Sequence, residues 1–130
     1  MVAVPTFDYR AANVKHTLRP PLAVGVGLTN TGGAGAASAI VIPANATRPN
    51  VLSQIIASLS AAPAAAVSVI VQDGSTEIHR FYLPAAAIPP AVVTFDPPIA
   101  GTAGNSMTVT IAAPGGAVVA ALNLNAYVLN

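Results

Sequence analysis

Residues 67–83 read VSVIVQDGSTEIHRFYL, and the rest of the chain is interpreted outward from them. Val67, Val69 and Val71 alternate with Ser68, Ile70 and Gln72, the period of two expected of a strand buried on one face. Asp73-Gly74 marks a tight turn, because glycine takes the positive φ that short hairpin loops demand. Glu77 to Leu83 is the return strand, and Pro84 ends it, having no N–H to give to a ladder. The stretch is therefore a β-hairpin.

The same period recurs on both sides. Leu22, Val24, Val26 and Leu28 fall on one face, with Ala23, Gly25 and Gly27 opposite, and a glycine-rich loop spans 29–35. A second strand covers 37–42 and stops at Pro43. Residues 51–60 fit two patterns. Val51, Leu52, Ile55, Ile56 and Leu59 make a helical stripe with Asn50 as its N-cap, whereas Val51, Ile55, Ala57 and Leu59 line one face of a strand. The strand-rich surroundings and the Pro63 stop favour the strand. Beyond the hairpin, 91–95 is a short strand closed by Asp96-Pro97-Pro98, and Met107, Val109 and Ile111 alternate with Ser106, Thr108 and Thr110. Pro114-Gly115-Gly116 turns the chain into a last strand. There Val118, Ala120, Leu122, Leu124 and Val128 share one face, and Asn123, Asn125 and Tyr127 share the other.

About eight short strands separated by turn signals predict an all-β, antiparallel sandwich over residues 22–130. A jelly roll is the leading topology and an immunoglobulin-like sandwich the second. Residues 1–21 show no strong period and end in Pro20-Pro21; they are expected to form an extended N-terminal arm.

Composition sets the functional class. The chain has 130 residues, which suits one domain with one core. It is 54% hydrophobic and only 7% charged, against roughly 25% charged in ordinary domains, and its mean hydropathy is +0.67. Nine ionised residues are too few to cover a free monomer's surface in the usual way. A surface of Ala, Ser, Thr, Asn, Gly and Pro sheds water cheaply, so burial against other subunits is the expectation. Every apolar run is broken well short of the ~20 residues that a membrane helix needs, and MVAVPTFDYR at the start has neither the basic opening nor the apolar core of a cleaved signal. Asn45-Ala46-Thr47 matches the glycosylation pattern, which has little weight without such a signal. The chain has no cysteine, which excludes disulfides and thiolate metal sites. A net charge of +1, no Trp and 5% aromatics argue against a nucleic-acid partner, which calls for a basic patch or stacking platforms.

Groups that do chemistry are scarce. The carboxylates are Asp8, Asp73, Glu77 and Asp96, and the histidines His16 and His79. Glu77 and His79 lie two apart on one strand and point the same way, as a metal or general-base pair would. No third ligand is near in sequence, and a solvated hairpin tip with cross-strand pairing accounts for Asp73, Glu77, His79 and Arg80. Asp96 reads as a turn residue, and Gly32-Gly33-Ala34-Gly35 lacks the ending of a phosphate loop. No catalytic residue, metal ligand or cofactor site is predicted. The candidate contacts are Phe7, Tyr9, Arg10, Lys15, His16 and Arg19 on the arm, for a partner groove, and Asn123, Asn125 and Tyr127 on the last strand, for sugar or a neighbouring subunit.

From about Asn50 to the end, the chain resembles the small jelly-roll decoration, or cement, proteins of tailed-bacteriophage capsids. The likeness lies in Ser60-Ala61-Ala62-Pro63 before a valine-rich strand and in the Asp73-Gly74 hairpin. It continues in Phe95-Asp96-Pro97-Pro98, in Gly101-Thr102-Ala103-Gly104 before an alternating strand, and in a closing strand that ends in Asn and Tyr. The resemblance implies a homotrimer on the outer capsid surface, made in the host cytoplasm, that clamps neighbouring capsomers of the major capsid protein. It implies no catalytic residue. The alternative from the residues alone is a carbohydrate- or receptor-binding sandwich, as in a head fibre or tail component.

Overall fold

A computed structural model describes residues 25–86 and 90–128. Eight strands follow one another: β1 (Gly25–Thr31), β2 (Ser38–Ile42), β3 (Asn50–Leu59), β4 (Val67–Asp73), β5 (Thr76–Leu83), β6 (Ala91–Ala100), β7 (Met107–Ile111) and β8 (Ala120–Val128). They form two four-stranded sheets, ordered β1-β8-β3-β6 and β2-β7-β4-β5, and every pairing is antiparallel. Apart from the β4–β5 hairpin, successive strands cross between sheets, and β8 lies between β1 and β3, which is jelly-roll topology.

The alternation predicted for the hairpin is present: Val67, Val69 and Val71 are buried and Ser68, Ile70 and Gln72 half-buried. The turn falls one residue later than expected. Asp73 pairs with Thr76, leaving Gly74 and Ser75 as the loop. Gly74 has φ +62° at the first central position, where a II′ hairpin takes glycine.

Residues 50–59 are a strand, as favoured, but with a different inner face. The register shifts between Leu52 and Gln54, so Ser53 is an extra residue that lets both Leu52 and Ile55 face inward. Both are fully buried, although a regular strand would set them on opposite faces. Val51, expected on the inner face, instead pairs with Tyr127 on the other side of the sheet.

Two further expectations are corrected. β1 runs through Thr31 into the stretch expected to be loop, because Thr29, Asn30 and Thr31 pair with Asn123, Leu122 and Ala121. β6 does not stop at Phe95 but continues past the prolines to Ala100. It is an edge strand, where a missing N–H leaves no neighbour unbonded; pairing to β3 lapses between Thr94 and Ile99.

The core lies between the sheets. Leu52, Ile55, Ala57, Leu59, Leu122, Leu124 and Ala126 face Ile40, Ile42, Val69, Val71, Met107, Val109 and Ile111. Each large side chain buried here contributes about 1.5–3 kcal/mol. Asn50 closes one end of this layer; its Nδ2 donates to the Pro43 carbonyl at 2.9 Å and the Asn105 carbonyl at 3.4 Å, tying the β2–β3 and β6–β7 loops together. Ile55→Ala is expected to lower unfolding stability by about 2–5 kcal/mol, read from urea denaturation followed by far-UV circular dichroism.

Candidate functional site

Strict up-and-down alternation sorts the connections onto two ends. The β2–β3, β4–β5 and β6–β7 connections share one end, and the β1–β2, β3–β4, β5–β6 and β7–β8 connections share the other. The ends differ in chemistry.

The first end is polar and charged. Asn45 Oδ1 accepts from the backbone N–H of Thr47 (3.1 Å) and of Arg48 (3.0 Å), a local turn that occupies the side chain of the glycosylation-like triplet. Asp73 accepts from the Thr102 N–H at 3.1 Å and the Thr102 hydroxyl at 2.7 Å. That hydroxyl above all holds the Asp73 carboxyl below its usual range; burial, next in size, opposes it, and the Thr102 backbone N–H and the Asn105 side chain add to the lowering. The Gly74 N–H donates to the Ser106 carbonyl at 2.8 Å and the Gly104 N–H to the Asn45 carbonyl at 2.7 Å, so the loops of this end are joined.

The hairpin does not bring Glu77 and His79 onto one face. The register shifts between Val71 and Gln72, so that His79 pairs with Val71 but Glu77 pairs with Gln72. Glu77 accepts a 2.6 Å charged hydrogen bond from Arg80 Nε on the solvent side. His79 packs edge-on against Phe95 of the opposite sheet, ring centroids 5.0 Å apart. His79 is therefore part of the seam between edge strands β5 and β6 and not of a solvated tip. Among the described residues no group of three His, Cys, Asp or Glu is placed to hold a metal.

Among the described residues the second end carries no charge. Its loops are 32–37 (GGAGAA), 60–66 (SAAPAAA), 84–86 (PAA), Pro90 and 112–119 (AAPGGAVV). Ser60 provides the single side-chain hydroxyl, and it accepts from the Val119 N–H at 2.8 Å. The backbones are joined: the Gly35 N–H donates to the Val118 carbonyl at 2.8 Å, Ser60 N–H to Val119 at 2.9 Å and Ala86 N–H to Pro63 at 3.2 Å. At Gly35, with φ +70°, a Cβ would sit 2.5 Å from the Gly116 carbonyl oxygen, so glycine is what lets these two loops touch. Sequence reading overlooked this end, although the signal was there: alternate connections of an up-and-down sandwich share an end, and these four lack ionisable residues.

The outer sheet faces also differ. On β1-β8-β3-β6, Asn125 Nδ2 donates to Gln54 Oε1 at 2.8 Å and Gln54 Nε2 to Thr94 Oγ1 at 3.1 Å, an uncharged ladder across three strands. Asn123 lies half-buried and Asn125 exposed on this face, while Tyr127 is only 9% exposed. On β2-β7-β4-β5, Val41 and Tyr82 are each 58% exposed. The arm residues Phe7, Tyr9, Arg10, Lys15, His16 and Arg19, and the boundary at residue 21, lie outside the described residues. β1 opens at the charged end, where Gly25 pairs with Tyr127.

No protein-family model matches the chain, and no curated protein matches it. Solved structures do. The mitogen derived from Yersinia pseudotuberculosis is 14% identical with a TM-score of 0.45, covering 84% of this chain and 88% of that one. The coat protein of Tobacco streak virus is 10% identical with a TM-score of 0.38, covering 82% and 86%. The virus-like particle of the extra small virus of the prawn Macrobrachium rosenbergii gives 12% identity and a TM-score of 0.32, covering 95% and 89%. Likeness at this level says nothing of what the chain binds.

The Asp73 contact makes stability depend on acid. Its folded carboxyl is depressed, so its contribution is full above the unfolded value, 3.8, and is lost as the pH falls through the lower folded value. Asp73→Asn is expected to lower Tm at neutral pH, the gap from the parent closing below about pH 4; a pH series of thermal melts reads it.

Proposed function

We propose that the chain is a virion structural protein. In this reading it is a decoration or cement protein on the outer capsid surface, a homotrimer that bridges neighbouring capsomers of the major capsid protein and does no catalysis. The observation that carries the reading is the scarcity and placement of charge. Among the described residues the ionised side chains are Arg48, Asp73, Glu77, Arg80 and Asp96. Glu77 and Arg80 neutralise each other, and Asp73 is occupied by Thr102. A body so poor in ions has little hydration to lose when neighbours cover it.

Bridging calls for two contact elements set apart, and the chain offers them. Arg10, Lys15 and Arg19 against Asp8 leave the arm two positive charges in excess, whereas Arg48 and Arg80 against Asp73, Glu77 and Asp96 leave the remainder one negative. The arm thus suits an acidic groove on one neighbour, reached from the charged end of the body. The uncharged end is free for another.

A second reading, a carbohydrate- or receptor-binding module, is favoured by the Asn125–Gln54–Thr94 ladder, whose neutral donors and acceptors suit hydroxyl groups. A glycan array probed with the parent and with Asn125→Ala separates the two: sugar binding that Asn125→Ala abolishes supports the second reading.

The bridging reading is tested by removing residues 1–20. The sandwich is expected to stay folded, with an unchanged far-UV spectrum, while co-sedimentation with purified shells weakens. Unchanged attachment would count against it.

A further inference from the structure

We propose that the loop end built from residues 32–37, 60–66, 84–86 and 112–119 is the face by which the body docks on a protein shell, and that the shell surface it meets is flat and uncharged. This rests on the bridging reading and adds to it the face used and the chemistry of the surface opposite.

The first argument is charge. A carboxylate or ammonium group placed against this end would lose its water and find no counter-charge, because its described loops have no ionisable side chain and only one hydroxyl, which accepts from the Val119 N–H. The same loops offer no carboxylate or imidazole for a metal and no cationic side chain for a phosphate or a nucleic acid. Surface loops usually carry polar and charged residues, and those at the opposite end do: Asn45, Thr47, Arg48, Thr102 and Asn105 lie there. The asymmetry is confined to one end of one body.

The second argument is entropy. Alanine, glycine and proline have almost no rotamer freedom to lose on burial. The loops are held to each other by the backbone bonds of Gly35, Ser60 and Ala86, so little ordering remains to be done when a partner arrives. Small side chains on fixed loops make a low-relief surface, which fits a flat partner better than a groove.

The third argument is area. Four strands about 4.8 Å apart in two sheets about 10 Å apart give this end a footprint of roughly 400 Å². A stable interface takes about 800 Å² from each partner. One end alone is too small, so attachment needs the arm or several linked copies acting together. That requirement agrees with a bridging protein and not with a free-standing pair.

The test uses the full chain and protein shells assembled without it, with co-sedimentation as the readout. Ala62 and Ala117 are exposed on the loop end, and Ala46 and Ala103 are exposed on the charged end as controls. Ala62→Asp and Ala62→Lys are both expected to weaken attachment about tenfold or more, as is Ala117→Asp, while Ala46→Asp and Ala103→Asp attach like the parent. Equal loss with either sign is the mark of an uncharged partner. If Ala62→Lys tightens attachment while Ala62→Asp weakens it, or the reverse, the partner surface is charged and the inference fails. Parent-like attachment of every loop-end variant would remove this face from the contact and leave the bridging reading standing. If light scattering finds a dimer of the chain alone that Ala62→Asp dissociates, a second copy covers the end and the inference is overturned. A parent chain that does not sediment with shells sinks the bridging reading itself, and this inference with it.

Discussion

Strand β8 holds the first sheet together. It lies between β1 and β3, pairing with both along almost its whole length, so among the described strands the last joins the first to the third. Its alternation makes this possible: Leu122, Leu124 and Ala126 enter the core, while Asn123 and Asn125 stay outside. A slip of one residue would bury the two amides and expose the two leucines. The extra residue at Ser53 in β3 completes the match, since Leu52 and Ile55 can then both meet the opposite sheet.

Once that sheet is formed, the ends of the sandwich follow. Alternate connections gather at each end, and what they contain decides how each end meets its surroundings. At one end side chains add to the fastening done by the backbone bonds of Gly74 and Gly104: Asp73 holds Thr102, and Asn50 spans two loops. At the other, backbone does it, with glycine at 35 letting two loops approach closely. The same task, joining neighbouring loops through their polar groups, is done by two chemistries, although the buried Asn50 Oδ1 has no hydrogen-bond partner among the described residues. One leaves ions on the surface and the other leaves none.

This difference gives the body a direction. β1, the first described strand, opens at the charged end, opposite the end whose described loops carry no ionisable residue. In the proposed bridging role, long-range attraction falls to the basic residues of 1–21, whose charges act over a Debye length, about 8 Å in physiological salt. In the same proposal close fitting falls to the neutral end, where desolvation is cheap and shape decides.

The sequence by itself determined the class of fold and most strand positions. A period of two is a local property, written in Val67-Ser68-Val69 and in Leu122-Asn123-Leu124, and prolines and glycines mark where it must stop. It also made plain how few charges the surface has. The tertiary structure alone decided what depends on a distant partner. The bulge at Ser53 and the shift beside Val71, which parts Glu77 from His79, are set by the strand on the other side of the ladder. The prolines of β6 are tolerated because that strand is at an edge, and the burial of Tyr127 depends on where β8 is placed. Periodicity tells a strand which face to hide, but not which strand it will lie beside, because partners many residues apart are chosen by the packing of the whole core.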